Sequence, residues 1–209
     1  MKILIADDHA IIREGLKQIL IGINDIEIID EASNGKEVLT KVRSEFYDIV
    51  VLDISMPDMN GLDILKQLKT EQPDLHVLIL SIHPEDQYAL RVLKAGASGY
   101  LTKTSAPEEL VKAIVKISAG GKYISESLAD FLSENLEGKK LNLPHESLSD
   151  REYEVMCLIA SGKTSDEIAK KLFISSNTVR TYRTRILEKM NMSDNSQIIT
   201  YCIKNNLID

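Results

Sequence analysis

Five short apolar, β-branched runs punctuate the first half of the chain, at residues 2 to 6, 26 to 29, 49 to 52, 77 to 80 and 98 to 101. Between them apolar positions recur at helical spacing, over about 10 to 21, 35 to 45, 61 to 71, 85 to 95 and 107 to 118. This alternation predicts five βα units. The runs are continuously apolar rather than alternating, as strands are when both faces of a parallel sheet are covered. Pro84 and Pro107 stand at first-turn positions, followed by Glu85-Asp86 and Glu108-Glu109, which suit the positive end of a helix dipole.

The pattern changes after Gly120-Gly121. A helical stretch from Ser125 to Leu136 leads into Glu137-Gly138-Lys139-Lys140-Leu141-Asn142-Leu143-Pro144, which has no period and reads as a linker. From Ser149 onward strand pattern is gone, and Ser149 with Glu152 and Thr164 with Glu167 form two capping-box signatures. Helices are predicted near 149 to 160, 164 to 171, 176 to 190 and 195 to 204, with Gly162 closing the first. The expected architecture is an α/β domain with a five-stranded, doubly wound parallel sheet over 1–122, a linker helix and linker over 123–146, and a small all-α domain over 147–209.

With 209 residues and 44% hydrophobic content, general disorder is excluded. No apolar run approaches the roughly 18 residues of a membrane span, and Asp7-Asp8 arrive before any secretory core. A cytoplasmic location is expected, with no membrane partner. Cys157 and Cys202 lack metal-ligand spacing and lie in apolar helical pattern, so they read as buried reduced thiols. The net charge of −7 is uneven: residues 1 to 137 carry −9, whereas residues 147 to 209 carry +1. Within the latter, Arg180, Arg183, Arg185 and Lys189 crowd into ten residues opposed only by Glu188.

The first candidate chemistry lies at strand ends. Asp7 and Asp8 follow the first apolar run and Asp53 ends the third, so a parallel sheet places three carboxylates in one crevice at its carboxyl edge. Their repulsion calls for a divalent cation, and oxygen-only ligands favour a hard ion such as Mg²⁺. Ser81 closes the fourth strand and Lys103 follows the fifth, adding a hydroxyl and an ammonium. Such a set suits phosphoryl transfer.

On Asp7-Asp8, Asp53 to Gly61 (Asp-Ile-Ser-Met-Pro-Asp-Met-Asn-Gly), Ser81, Ala95-Gly96-Ala97, Tyr100 and Lys103-Thr104, the front 122 residues resemble the receiver domain of bacterial two-component response regulators. The resemblance implies a flavodoxin-like fold in which Asp53 takes a phosphoryl group from a sensor histidine kinase. It implies that Asp8, Asp53 and the Ser55 carbonyl hold Mg²⁺, with Asp7 assisting through water. Lys103 would pair with the phosphoryl oxygens, Ser81 would turn toward them and Tyr100 would swing inward. Ser55 and His83 would flank the pocket mouth. The chain would then be no turnover enzyme, but a phosphoryl acceptor that assists its own phosphorylation and dephosphorylation with Mg²⁺.

In the rear domain Ile168, Ala169 and Leu172 stripe one short helix, and Val179, Ile186 and Met190 the next. Small Ala169 permits the close crossing of a helix-turn-helix. The opposite face shows Asn177, Arg180, Thr181, Thr184 and Glu188. Arg180 has the fork to read a guanine edge, Thr181 and Thr184 can meet bases, and Arg183, Arg185 and Lys189 lie toward phosphates. Leu148 to Val155, Gly162-Lys163, Glu167-Ile168-Ala169, Ile174-Ser175, Thr178-Val179-Arg180, Ile186 and Lys189-Met190 resemble the LuxR-type helix-turn-helix. Both halves together resemble the NarL/FixJ class, which implies double-stranded DNA, a homodimer on DNA and RNA polymerase as partners, and adds Thr178 to the DNA-binding set. Where that family often has Lys and His this chain has Arg180 and Tyr182, so the operator cannot be borrowed from relatives. The last helix carries Ile198, Ile199, Tyr201, Cys202 and Ile203, an arc wide enough to seal a dimer as well as a core.

Two rivals remain at the level of sequence. A phosphatase of the haloacid dehalogenase class needs a second acid two residues after its nucleophile, where this chain has Ser55. A pure interaction module would bind DNA without sequence preference and show a steep salt slope only. The favoured reading is a transcriptional regulator whose DNA binding responds to phosphorylation of Asp53, with the acidic front masking the basic helix until then.

Overall fold

A computed structural model describes residues 1–23, 25–56, 58–82, 85–105, 107–130, 143–205 and 207–208. The chain forms two compact units, Met1–Glu134 and Asn135–Asp209. The predicted features at Pro57, His83 and Pro84, and the part of the linker segment from 131 to 142, lie outside the described residues.

In the first unit the order is β1 (Lys2–Ala6), α1 (Ala10–Leu20), β2 (Ile28–Ala32), α2 (Gly35–Ser44), β3 (Ile49–Asp53), α3 (Gly61–Glu71), β4 (His76–Ser81), α4 (Glu85–Lys94), β5 (Gly99–Thr102) and α5 (Pro107–Ser118). Residues 126 to 130 add the described part of a helix, α6. All four strand pairings are parallel and the sheet order is β2-β1-β3-β4-β5, a doubly wound sheet. Ile3, Leu4, Ile5, Ile49, Val50, Leu52, Val77, Leu78 and Ile79 are fully buried, as runs covered on both faces must be.

β2 departs from the expectation. The predicted run 26 to 29 is displaced toward the carboxyl end, so that the strand includes Asp30 and Glu31. As an edge strand β2 is only partly buried and tolerates polar positions when partners meet them. Tyr47 donates its hydroxyl to Asp30 Oδ2 at 2.8 Å, and Arg13 and Lys17 pair with Glu31 at 2.8 and 2.7 Å.

Two glycines fix backbone at the sheet's two edges, Gly61 at the carboxyl edge and Gly96 at the amino edge. At Gly61 a Cβ would sit 2.5 Å from the Asp53 carbonyl and from Ile54 Cα, so the start of α3 presses against the end of β3 in a way only glycine allows. Gly96 turns the chain out of α4 with φ +100.

The second unit is all helical: a short 3₁₀ turn (Pro144–Ser147), α7 (Asp150–Ala160), α8 (Ser165–Lys171), α9 (Ser176–Met190) and α10 (Asn195–Lys204). Both expected capping boxes are formed, at Ser149/Glu152 and Thr164/Glu167. Ile168, Ala169, Leu172, Val179, Ile186 and Met190 are buried, the stripe a helix-turn-helix requires. Cys157 and Cys202 are buried thiols outside any disulfide, and burial pushes the Cys202 thiol up to about 11. The arc on α10 divides: Ile198 and Cys202 face the core, while Ile203 is exposed.

Candidate functional site

Strand register brings the acids together. Ala6 pairs with Leu52, so Asp7, the next residue after β1, stands level with Asp53 at the end of β3. Both side chains are 1% exposed. Asp8 opens toward solvent, and ligand atoms of Asp7, Asp8, His9 and Asp53 all lie within 4.8 Å of one another. Lys103, just past β5, reaches in between: its Nζ is 2.8 Å from Asp53 Oδ2 and 2.5 Å from Asp7 Oδ2. The Ser55 amide donates to Asp53 Oδ1 at 3.0 Å. Ser81 is buried at the end of β4, where its carbonyl accepts the Lys103 amide at 2.6 Å, and Tyr100 is buried on β5.

Burial raises the Asp53 carboxyl above the usual aspartate range, against the hydrogen bond and charge of Lys103. Burial works to lower the Lys103 ammonium, but its hydrogen bonds and attraction to Asp53 and Asp7 outweigh it, so its pKa is raised. The pocket is short of positive charge: one ammonium faces Asp7, Asp8 and Asp53. Asp7 Oδ2 is buried and lies 2.5 Å from the Lys103 ammonium. Three carboxylates gathered beside that ammonium, with two of them buried, fit a divalent cation held by oxygen ligands.

In the second unit Ser175 caps α9, its hydroxyl accepting the Thr178 amide at 3.0 Å. Asn177, Arg180, Thr181, Thr184 and Arg185 are exposed along one broad face, and Thr178 is half-buried beside the cap. The Thr181 and Thr184 hydroxyls donate to the Asn177 and Arg180 carbonyls, each at 3.1 Å. Two of the basic side chains are partly committed. Lys189 donates to Glu152 Oε2 at 2.6 Å, and Arg183 donates from Nε to Asn195 Oδ1 at 2.6 Å. Among the described residues Arg180 and Arg185 carry no ion pair, which leaves them as uncommitted cations of this face.

Both halves of the chain match known families. The response regulator receiver domain matches residues 3–115, and the luxR family of bacterial regulatory proteins matches residues 146–202. The chain is 33% identical over 208 residues to the response regulator UvrY of Escherichia coli K12, covering 99% of this chain and 95% of that protein. It is 35% identical to the oxygen regulatory protein NreC of Staphylococcus carnosus, with all of both chains covered. The chain belongs to the response regulators.

Solved structures agree with that membership. The response regulator RcsB of Salmonella typhimurium matches with a TM-score of 0.63 at 26% identity, covering 97% of this chain and 99% of that one, and RcsB has also been solved as a DNA complex. A response regulator is not a classical turnover enzyme, and its receiver domain implies a kinase partner. Among the described residues no helix of this regulator is long and apolar enough to cross a membrane.

Sequence reasoning passed over several residues that the regulator's fold gathers at these sites. His9 places Nδ1 2.7 Å from Asp8 Oδ1 and donates its amide to Asp7 Oδ1 at 2.8 Å. Its position after Asp7-Asp8 was the available signal. Asp58 accepts the Gly35 and Lys36 amides at 2.7 and 3.0 Å, tying the loop after Asp53 to the start of α2, and this holds its carboxyl below the usual range despite partial burial. Glu152, a cap by its local pattern, also holds Lys189. No local pattern announces that pairing, because the partners lie 37 residues apart.

Proposed function

We propose that this regulator is switched by transfer of a phosphoryl group from a sensor histidine kinase to Asp53, and that the switch governs DNA binding by residues 147–209. The observation that carries the reading is the Lys103 ammonium held between Asp53 and Asp7 inside a cluster of acids. In the transfer, the N–P bond of the kinase's phosphohistidine breaks and an Asp53 Oδ–P bond forms. Lys103 works against the effect of burial on the Asp53 carboxyl and then pairs with the incoming phosphoryl oxygens.

Asp7, Asp8, Asp53 and the Ser55 carbonyl would hold Mg²⁺, which when bound neutralises the acids and the phosphoryl charge. The same set would assist hydrolysis of the acyl phosphate. Ser81 and Tyr100, buried on neighbouring strands, form the switch: the hydroxyl turns toward the new oxygens and the ring follows. This is a two-state element biased by a local change of charge.

The receiver occupies 1–122, a linker helix and linker 123–146, and the DNA-binding domain 147–209. On α9, Arg180, Thr181 and Thr184 read bases, while Asn177, Thr178, Arg183, Arg185 and Lys189 position the backbone. A twofold dimer on DNA, sealed in part by α10, would set two such helices in successive major grooves. A dimer so placed can contact RNA polymerase, and the setting is cytoplasmic. RcsB, solved with two dimers bound to two parallel DNAs, supports this arrangement by likeness.

The test is intact mass after incubation with a small phosphodonor. Mass should rise by one phosphoryl group with Mg²⁺, and neither with a chelator nor in Asp53→Asn. Selection from random DNA, with and without beryllofluoride, should then return paired half-sites bound more tightly with the mimic. Modification of Asp53→Asn at the wild-type rate would overturn the assignment.

A further inference from the structure

We infer that Arg13, braced by Glu31, is a positioning residue that fixes the Asp7–Asp8 peptide so that both carboxylates face the cation site. The inference rests on the reading of that pocket as a divalent-cation site and adds two residues outside its ligands.

The β1 ladder ends at Ala6, where the register with β2 and β3 stops. Asp7 still donates its amide to the Ala32 carbonyl at 3.2 Å. Its carbonyl, which belongs to the peptide joining Asp7 to Asp8, has no strand to meet. Arg13 supplies that partner from the first turns of α1, donating from Nη1 to the Asp7 carbonyl at 2.8 Å. The same guanidinium donates from Nε to Glu31 Oε2 at 2.8 Å. Lys17 donates to the other oxygen of Glu31 at 2.7 Å.

A planar fork with two anchored donors fixes both its position and its plane. It lies between α1, the edge strand β2 and the acidic turn, and its side chain is only 15% exposed. The orientation of the Asp7–Asp8 peptide sets where the Asp8 side chain points, because rotation of that plane carries the next Cα and Cβ with it. Asp7 is held from both sides by the fold. Asp8 opens toward solvent, where its side chain meets the exposed His9 ring at 2.7 Å, and this carbonyl contact fixes the peptide that aims it. Glu31 is thereby explained as well: a charged residue on the interior-leaning part of an edge strand is there to hold the arginine.

The sign of one measurement separates positioning from simple charge. Arg13 is a cation beside a cation site, so its removal on Coulombic grounds alone would tighten Mg²⁺ binding. Loss of positioning weakens it instead.

The experiment is calorimetric titration of the full chain with Mg²⁺, in the absence of any phosphodonor, for wild type, Arg13→Met, Arg13→Lys and Glu31→Gln. Arg13→Met is expected to weaken Mg²⁺ about tenfold, in the range of lost outer-sphere support. Arg13→Lys keeps the charge, but its donors sit on one nitrogen that lacks the span of the fork, and it should fall in between. In Glu31→Gln the amide oxygen still accepts from Nε without the charge, and affinity should drop about threefold. Combining Glu31→Gln with Arg13→Met should cost no more than Arg13→Met alone, since both act through one guanidinium. Unchanged or tighter Mg²⁺ binding in Arg13→Met overturns the inference, and if that variant does not fold, unchanged binding in Glu31→Gln overturns it. A wild-type chain that takes up no Mg²⁺ overturns instead the reading of the pocket on which this rests.

Discussion

The Lys103 ammonium lies 2.8 Å from Asp53 Oδ2, across 50 residues of sequence, so the proposed acceptor is already paired with the cation that would hold its phosphoryl group. Lys103→Met leaves buried acids unpaired and should destabilise the metal-free chain by about 3 kcal/mol. Mg²⁺ should recover part of that loss, more than it adds to wild type. Urea unfolding of both chains in chelator and in Mg²⁺ measures the difference, and phosphorylation by a small donor should fall about a hundredfold.

Asp53 sets a pH dependence of known sign. A carboxyl whose folded pKa is raised binds its proton more tightly in the folded state. Its contribution is therefore fully present below the unfolded value, about 4, and is lost as pH rises through the folded value. Without divalent ions, Asp53→Asn should be more stable than wild type at pH 7, and the gap should close as pH falls toward 4. Denaturation midpoints across that range check it, and a gap that widens toward acid would contradict it.

Gly61 marks the closest approach of α3 to the end of β3. In Gly61→Ala the new methyl meets backbone, at Asp53 and Ile54, rather than a side chain able to move. A cost of about 3 kcal/mol is expected, together with slower phosphorylation, because the same shift moves Asp53. Substitution of Gly15, whose Cβ meets nothing and whose backbone is ordinary helix, serves as the control.

Arg180 and Lys189 should behave differently on DNA although both are basic and exposed. Arg180→Met should lower affinity by about 1–3 kcal/mol and relax preference at the base it reads. Lys189→Met should instead reduce the slope of log affinity against log salt, by at most about 0.9 because Glu152 shares its charge, and should lower stability, since Glu152 is 3% exposed and loses its cation. Glu152 suffers burial, but Lys189 and the Ser149 contacts hold its carboxyl below the usual range. Its stabilisation is present above the unfolded value and lost as pH falls through the folded one. Unfolding of the second unit should thus be acid-sensitive in wild type and less so in Glu152→Gln.

Ile203 stays 61% exposed on α10 while Ile198 and Cys202 are buried. Ile203→Asp should leave thermal stability within about 0.5 kcal/mol. It should weaken binding to paired half-sites more than to a single half-site, read by gel shift on the two DNAs. Equal losses on both would remove α10 from the dimer.

Along the chain, periodicity by itself determined the βα alternation, the all-helical rear, the capping boxes and the order of acids, hydroxyl and lysine at strand ends. These are local features: burial on two faces writes continuous apolar runs, and a helix cap needs only residues three apart. Tertiary structure alone decided the rest. The shift of β2 onto Asp30 and Glu31 was illegible because polar residues become acceptable in a strand only once Lys2, Tyr47, Arg13 and Lys17 are brought to them. The gathering of Asp7, Asp53 and Lys103 is already implied by their places at strand ends, and register sets only their height; the tie of Lys189 to Glu152 and the grip of Arg13 on the Asp7 carbonyl depend on helix placement across many residues. Such contacts join groups whose own neighbours in sequence carry no trace of the partner.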